Sequence, residues 1–197
     1  MELTFPEIFV VAGPNGAGKT TIARDLLPKR VGVAAFVNAD LIAQGLSPHE
    51  PERSAMQAGR VMLERIHALR DAGESFAFET TLASRSFASF LMEARHQGYL
   101  VHLLFLALRS PELALTRVAE RVERGGHDVP EATVRRRYRR GLANFEKLYR
   151  PLSDTWILYD NSGPNPMAIA LGDGAGDPRV LDGTAWDQLW RSHAGTD

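Results

Sequence analysis

Apolar residues along the 197-residue chain gather in five short runs, with longer stretches between them in which they recur every three or four positions. The runs are IFVVAG (8–13), AAFVNAD (34–40), SFAFETT (75–81), LVHLLFLAL (100–108) and TWILYDN (155–161). Rich in Val, Ile, Phe, Leu, Tyr and Trp, they have the make-up of strands buried on both faces. Between them the helical period predicts helices over 18–27, closed by Pro28, over 51–72, and over 85–97, stopped by Gly98. Ser110 and Pro111 read as an N-cap and first-turn proline, opening a helix to about Arg124. Pro130 opens another to about Tyr149, ending before Pro151. Strands alternating with helices predict an α/β fold, a parallel five-stranded sheet with helices on both faces. Residues 167–183 read as two short strands around a Gly-rich turn, a short C-terminal hairpin, with a last helix over 185–190. Neither a linker nor a repeat interrupts the pattern, so the expectation is a single domain over 1–197.

Composition narrows the function classes. Charged residues make up 24% and hydrophobic ones 44%, with a formal net charge of −1, so no global field draws the chain to nucleic acid or to a membrane. The absence of cysteine excludes disulfides and thiolate metal sites. The start, MELTFPEIFVV, lacks the basic region and long apolar core of a signal peptide, and the apolar stretch 99–108 is too short for a bilayer and contains His102. These features point to a cytoplasmic protein.

The chemistry starts at the end of the first run. GPNGAGKT (13–20) fits the pattern G-x-x-x-x-G-K-[ST], with a strand before it and a helix after it. Glycines let successive backbone N–H groups converge on phosphate without Cβ clashes, and the following helix adds its N-terminal dipole. Gly13, Pro14, Asn15, Gly16, Ala17, Gly18, Lys19, Thr20 and the adjoining Thr21 therefore form the predicted cradle for ATP. Lys19 is expected to reach the β- and γ-phosphates, and the Thr20 hydroxyl to ligate Mg²⁺, a hard cation that prefers oxygen.

Two carboxylates close later strands, where ligands of open α/β sheets bind. Asp40 has two readings: a base that takes a proton from a substrate hydroxyl, or the N-cap of a helix starting at Leu41. Glu79 is costly to bury at an apolar strand end unless paired or bound to metal, so it is expected to serve Mg²⁺ or substrate hydroxyls. Thr80 and Thr81 beside it would position a polar substrate; the other reading is a helix start capped by Thr or Ser.

Residues 117–150 carry ten Arg or Lys against five acids, a net +5 that leaves −6 on the rest of the chain. Arg117, Arg121 and Arg124 share one helix face. GGHDVP then breaks the helix, and a second arginine-bearing helix follows. Such a pair can close over a nucleotide as a lid, its arginine forks neutralising the transferring phosphoryl group. The other reading, a nucleic-acid surface, is weakened by few stacking aromatics, only Tyr138, Phe145 and Tyr149.

GPNGAGKTT, VNADLIAQGLSP, FAFETTLAS, RVAERVERGGHDVPEATVRRRYRRG and WILYDNSG, in this order, resemble the zeta-toxin family of P-loop kinases, in particular its small members, over roughly residues 5–170. The best-studied zeta toxins phosphorylate the 3′-hydroxyl of UDP-N-acetylglucosamine with ATP and Mg²⁺. The resemblance implies that Lys19 and Thr20 serve phosphate and Mg²⁺, that Asp40 is the base, and that Glu79 and Thr81 lie in the substrate pocket. It makes Arg121 a lid arginine on the phosphates, with Arg124, Arg136 or Arg137 as a second; His127 stands near where the family has its own second arginine. It also implies a separate antitoxin chain. The activity expected is transfer of the γ-phosphoryl to a hydroxyl of a small or nucleotide-linked acceptor. The alternatives are a kinase of a nucleoside, sugar or antibiotic, or a non-catalytic ATP-dependent switch.

Overall fold

Strand β1 (Glu7–Ala12) sends alternate side chains to opposite sides of a sheet, and different helices cover the two sides. The computed structural model describes residues 5–26, 33, 35–47, 54–126 and 128–194. Pro28, Pro51 and His127 lie outside the described residues. Ile8, Val10 and Ala12 pack with Met62, Ile66 and Leu69 of α3 (Ala55–Asp71) and with Phe90, Leu91 and Ala94 of α4 (Ser86–His96). Val11 packs the other way, with Ala23 of α1 (Lys19–Leu26).

The remaining strands are β2 (Ala35–Val37), β3 (Phe76–Thr80), β4 (Leu100–Ala107), β5 (Thr155–Asp160), β6 (Met167–Gly172) and β7 (Arg179–Val180). They lie in the order β2-β3-β1-β4-β5-β6-β7. The first five are parallel, and β6 and β7 join as an antiparallel hairpin. The sheet therefore has seven strands rather than the expected five. The hairpin extends it because the open edge of β5 offers unpaired N–H and C=O groups that β6 satisfies. Phe76 and Phe78 of β3 are fully buried, each contributing roughly 1.5–3 kcal/mol by leaving water.

Helix α2 (Ala39–Leu46) follows β2, and α5 (Pro111–Glu123) follows β4. Ser110 caps α5 as predicted, its Oγ accepting from the N–H of Leu113 at 3.2 Å, with Pro111 in the first turn. Helix α6 (Glu131–Asn144) does not stop before Pro151. It passes into a π-helical turn (Phe145–Tyr149), in which Arg150 N–H bonds Phe145 O, and then into α7 (Arg150–Leu152). Pro151 has no N–H to donate into this continuous stretch, and the helix ends one residue later, at Leu152. The last helix, α8 (Gly183–Ala194), is longer than expected at both ends. Among the described residues no helix is long and apolar enough to cross a membrane.

Candidate active site

The loop from β1 to α1 turns so tightly that all three of its glycines need positive φ: Gly13 at +143°, Gly16 at +78° and Gly18 at +79°. A Cβ on Gly16 would lie 2.9 Å from Ala114 O, and one on Gly18 would lie 2.9 Å from Asn161 Nδ2. Neighbouring elements thus press on the loop from two sides. Lys19 opens α1 with 7% of its surface exposed, and its Nζ donates to Pro14 O at 2.9 Å.

Glu79, at the end of β3, lies under this loop because β1 and β3 run side by side in register, Val11 opposite Glu79. Its Oε2 accepts from Thr20 Oγ1 at 2.7 Å and from Asn38 Nδ2 at 2.6 Å, and its Oε1 lies 3.7 Å from Lys19 Nζ. The carboxylate is therefore paired, as burial at an apolar strand end requires. Burial pushes the Lys19 ammonium below its usual pKa; the carboxylates of Glu79 and Asp40 push it back up, and Arg121 and Arg137 push it down.

Asp40 is not a cap. Asn38 caps α2, its Oδ1 accepting from the N–H of Asp40 at 2.7 Å and of Leu41 at 3.2 Å. The helix begins at Ala39, which places Asp40 in the first turn. There its carboxylate borders two cavities. One, of about 390 Å³, lies over the phosphate loop and is lined by Gly16, Gly18, Thr20 and Thr21 on one side and Arg117, Glu120, Arg121 and Arg124 of α5 and its cap on the other. The second, of about 460 Å³, lies between α3, the loop after β3, and α6. Asn15, Lys19, Asp40 and Glu79 line both. A larger cavity of about 590 Å³ sits at the opposite end of the strands, beside Met92 and Leu100. Two of its ionic groups engage each other: Arg95 donates to Asp154 at 2.7 Å, and Asp154 also accepts from Val101 N–H at 2.8 Å.

Of the predicted arginines, Arg121, Arg124 and Arg137 reach the shared site. Arg137 lines the second cavity and its Nη1 donates to Asn15 Oδ1 at 3.4 Å. Burial lowers its pKa, and Asp40 acts to raise it. Arg136 is exposed and lines neither of these cavities. One position along a helix is a turn of about 100°, which carries Arg136 off the face that Arg137 presents. Thr80 and Thr81 line the second cavity, and Thr80 Oγ1 also accepts from Leu82 N–H at 3.0 Å.

Several contributors were not predicted. Asn38 fastens Glu79, and Met56, Gly59, Arg60 and Leu63 give one α3 face to the second cavity. The four lie three and four residues apart, so the helical period carried that signal. Ser84, Ser86 and Phe87 complete the wall.

The donor set fits hard-cation chemistry: a threonine hydroxyl and a carboxylate sit together in the lining of the cavity over the phosphate loop. Among the described residues no group of three or more His, Cys, Asp or Glu could cage a metal alone. A Mg²⁺ ion takes few protein ligands and shares the rest with phosphate and water, so Thr20 with Glu79 suffices.

Comparison with known proteins bears on the fold and the family. An uncharacterised protein of Haemophilus influenzae (strain ATCC 51907 / DSM 11121 / KW20 / Rd) is 30% identical over 126 residues, 64% of this chain and 88% of that one. In the crystal structure of AvrRxo1-ORF1:AvrRxo1-ORF2 with sulphate ions, a chain matches with a TM-score of 0.71 at 17% identity, covering 95% of this chain. This chain spans 64% of that one. The same complex with ATP matches at 0.67 and 16% identity, covering 95% of this chain and 64% of that chain. A chain of the PezAT chromosomal toxin-antitoxin system of Streptococcus pneumoniae matches at 0.66 and 17% identity, covering 96% of this chain and 80% of its own. These likenesses establish the fold. The family model described as Zeta toxin matches residues 2–165, and the chain belongs to the zeta toxin family.

Proposed function

We propose that the protein is an ATP-dependent kinase that moves the γ-phosphoryl group onto a hydroxyl of a small or nucleotide-linked acceptor. The observation that carries this reading is the meeting of two cavities at Lys19, Asp40 and Glu79. A protein that only held nucleotide would need the cavity over the phosphate loop; a second one sharing its carboxylates supplies a place for an acceptor.

The loop amides and Lys19 hold the phosphates of ATP. Thr20 and Glu79 would hold a Mg²⁺ ion, which would supply positive charge against the phosphate oxygens. Asp40 orients the acceptor hydroxyl and takes its proton as the bond from acceptor oxygen to γ-phosphorus forms and the bond to the β-bridging oxygen breaks. Arg121 and Arg137 approach from α5 and α6 and balance charge on the group in flight, with Arg124 at the rim. Residues 117–150 would close as a lid within one domain spanning 1–197.

UDP-N-acetylglucosamine is the acceptor that family membership favours. An antitoxin chain is the partner, supported by a PezAT toxin-antitoxin system among the matched structures, and the cytoplasm is the site of action. To test the activity, the protein is incubated with γ-labelled ATP, Mg²⁺ and either UDP-N-acetylglucosamine or a bacterial metabolite extract. A labelled phosphorylated acceptor is expected. Labelled inorganic phosphate alone, from both mixtures, would instead identify a nucleotide switch.

A further inference from the structure

Arg117 is the first of the three arginines on the α5 face, yet its guanidinium is engaged with backbone. Its Nη1 donates to Asn161 O at 2.7 Å and its Nη2 to Ser162 O at 3.0 Å. Both carbonyls belong to the turn after β5. Asn161 in turn crosses to the phosphate loop, its Nδ2 donating to Ala17 O at 2.8 Å. The turn is itself fixed to its surroundings: Asn161 N–H bonds Ala107 O at 2.9 Å, and Ser162 Oγ accepts from Arg109 N–H at 2.8 Å.

We propose that Arg117 and Asn161 form a clamp that aims the phosphate-loop amides, making both of them positioning residues for the nucleotide. The clamp acts on the peptide plane between Ala17 and Gly18. In a trans peptide the carbonyl of one residue and the N–H of the next point in opposite directions. Holding Ala17 O outward, against Asn161, turns the Gly18 N–H inward, toward the cavity. Gly18 has no Cβ to block that approach, since one would sit 2.9 Å from Asn161 Nδ2. On the other flank Gly16 admits α5 closely: a Cβ there would lie 3.1 Å from Arg117 Cβ. Arg117 thus touches the loop by packing at Gly16 and through Asn161 at Ala17. A planar fork bonding two successive carbonyls is geometry that guanidinium provides and a single ammonium does not. Arg121, one turn on, lines the same cavity, so the helix that brings the arginines to the phosphates also sets the loop that receives them.

This inference rests on the phosphate-loop reading of the proposed function, but its first readout needs no nucleotide. Amide hydrogen exchange over 16–19 is measured in the ligand-free full chain for wild type, Arg117→Gln, Arg117→Lys, Asn161→Ala and the Gln/Ala double variant. The clamp predicts exchange faster by on the order of tenfold in every variant, as a loop loses charge-assisted and neutral bonds that hold it. Affinity for Mg²⁺–ADP, by calorimetry, is expected to fall by about tenfold in each single variant, with the double variant no worse than the singles because one clamp has been opened twice. Arg135→Gln removes the same charge from the neighbouring helix, where Arg135 pairs with Glu112 and Glu131; it should leave ADP affinity unchanged. Unaltered exchange at 16–19 in Asn161→Ala would overturn the clamp, as would an Arg117→Lys variant that matches wild type, or losses that multiply in the double variant. Should Arg117→Gln fail to fold, Asn161→Ala decides alone, because it deletes only the bond to Ala17.

Discussion

At the scale of single residues, the site concentrates charge where water is scarce. Lys19 illustrates the cost. Its folded pKa lies below the unfolded value of 10.5, chiefly through burial, so the folded chain binds that proton less readily than the unfolded one. Its charge therefore costs stability at neutral pH, a cost relieved as pH rises through the lowered folded value toward 10.5. Lys19→Ala should abolish phosphoryl transfer, leave the Tm within a few degrees of wild type, and flatten the stabilising trend as pH rises toward 10.5; thermal melts over an alkaline pH series check it. Glu79→Gln keeps the shape and removes the charge that Thr20, Asn38 and Lys19 share. Turnover should fall by on the order of 10² and the Mg²⁺ needed for half-maximal activity should rise; steady-state assays over a Mg²⁺ series check this, and a lowered Tm with unchanged Mg²⁺ response would make the carboxylate structural. The phosphate loop was legible in sequence because its parts are neighbours in the chain. Asn38 and Asn161 were not read as partners because theirs lie 41 and 144 residues away. Asp40 could not be separated from a cap until Asn38 was seen in that place.

At the scale of elements, α6 and its π-helical turn hold the loop after β3 as well as presenting Arg137. Asn144 Nδ2 donates to Leu82 O at 2.7 Å, and Tyr149 Oη donates to Ser84 O at 2.6 Å. Leu82, fully buried, is held at φ +53°, a conformation that bulky residues seldom adopt without such support. Gly141 lets the helix approach until a Cβ there would collide with Thr81 O. Gly141→Ala should part helix and loop at a cost of roughly 1–3 kcal/mol. The expected result is a lower Tm and a raised KM for the acceptor, with affinity for an ATP analogue unchanged; equal loss of both affinities would mean that the helix does not act on the acceptor side. Helix starts such as Ser110-Pro111 were legible because capping is local chemistry. The π-helical turn was not, because its register answers to packing against a loop some sixty residues earlier in the chain.

At the scale of the whole molecule, the alternation of apolar runs with helical periods announced the parallel sheet, and all five predicted strands are present. Their order, with β1 between β3 and β4, was not legible, because buried strands rich in the same residues do not say which neighbour they choose. That order matters to function. It sets the phosphate loop beside the end of β3 and one strand from that of β2, so Lys19, Glu79 and Asp40 converge although they come from three parts of the chain. In the proposed function the cavity over the phosphate loop takes the nucleotide and the acceptor chemistry depends on Asp40. Asp40→Asn retains size and leaves the Asn38 cap in place, so stability and ATP-analogue affinity should stay near wild type. The decisive measurement is the yield of labelled acceptor from γ-labelled ATP and UDP-N-acetylglucosamine or metabolite extract, for wild type and Asp40→Asn side by side. A fall on the order of 10² or more in the variant, with nucleotide binding intact, is the predicted result; wild-type yield from Asp40→Asn would contradict the assignment of a hydroxyl kinase with Asp40 as its base.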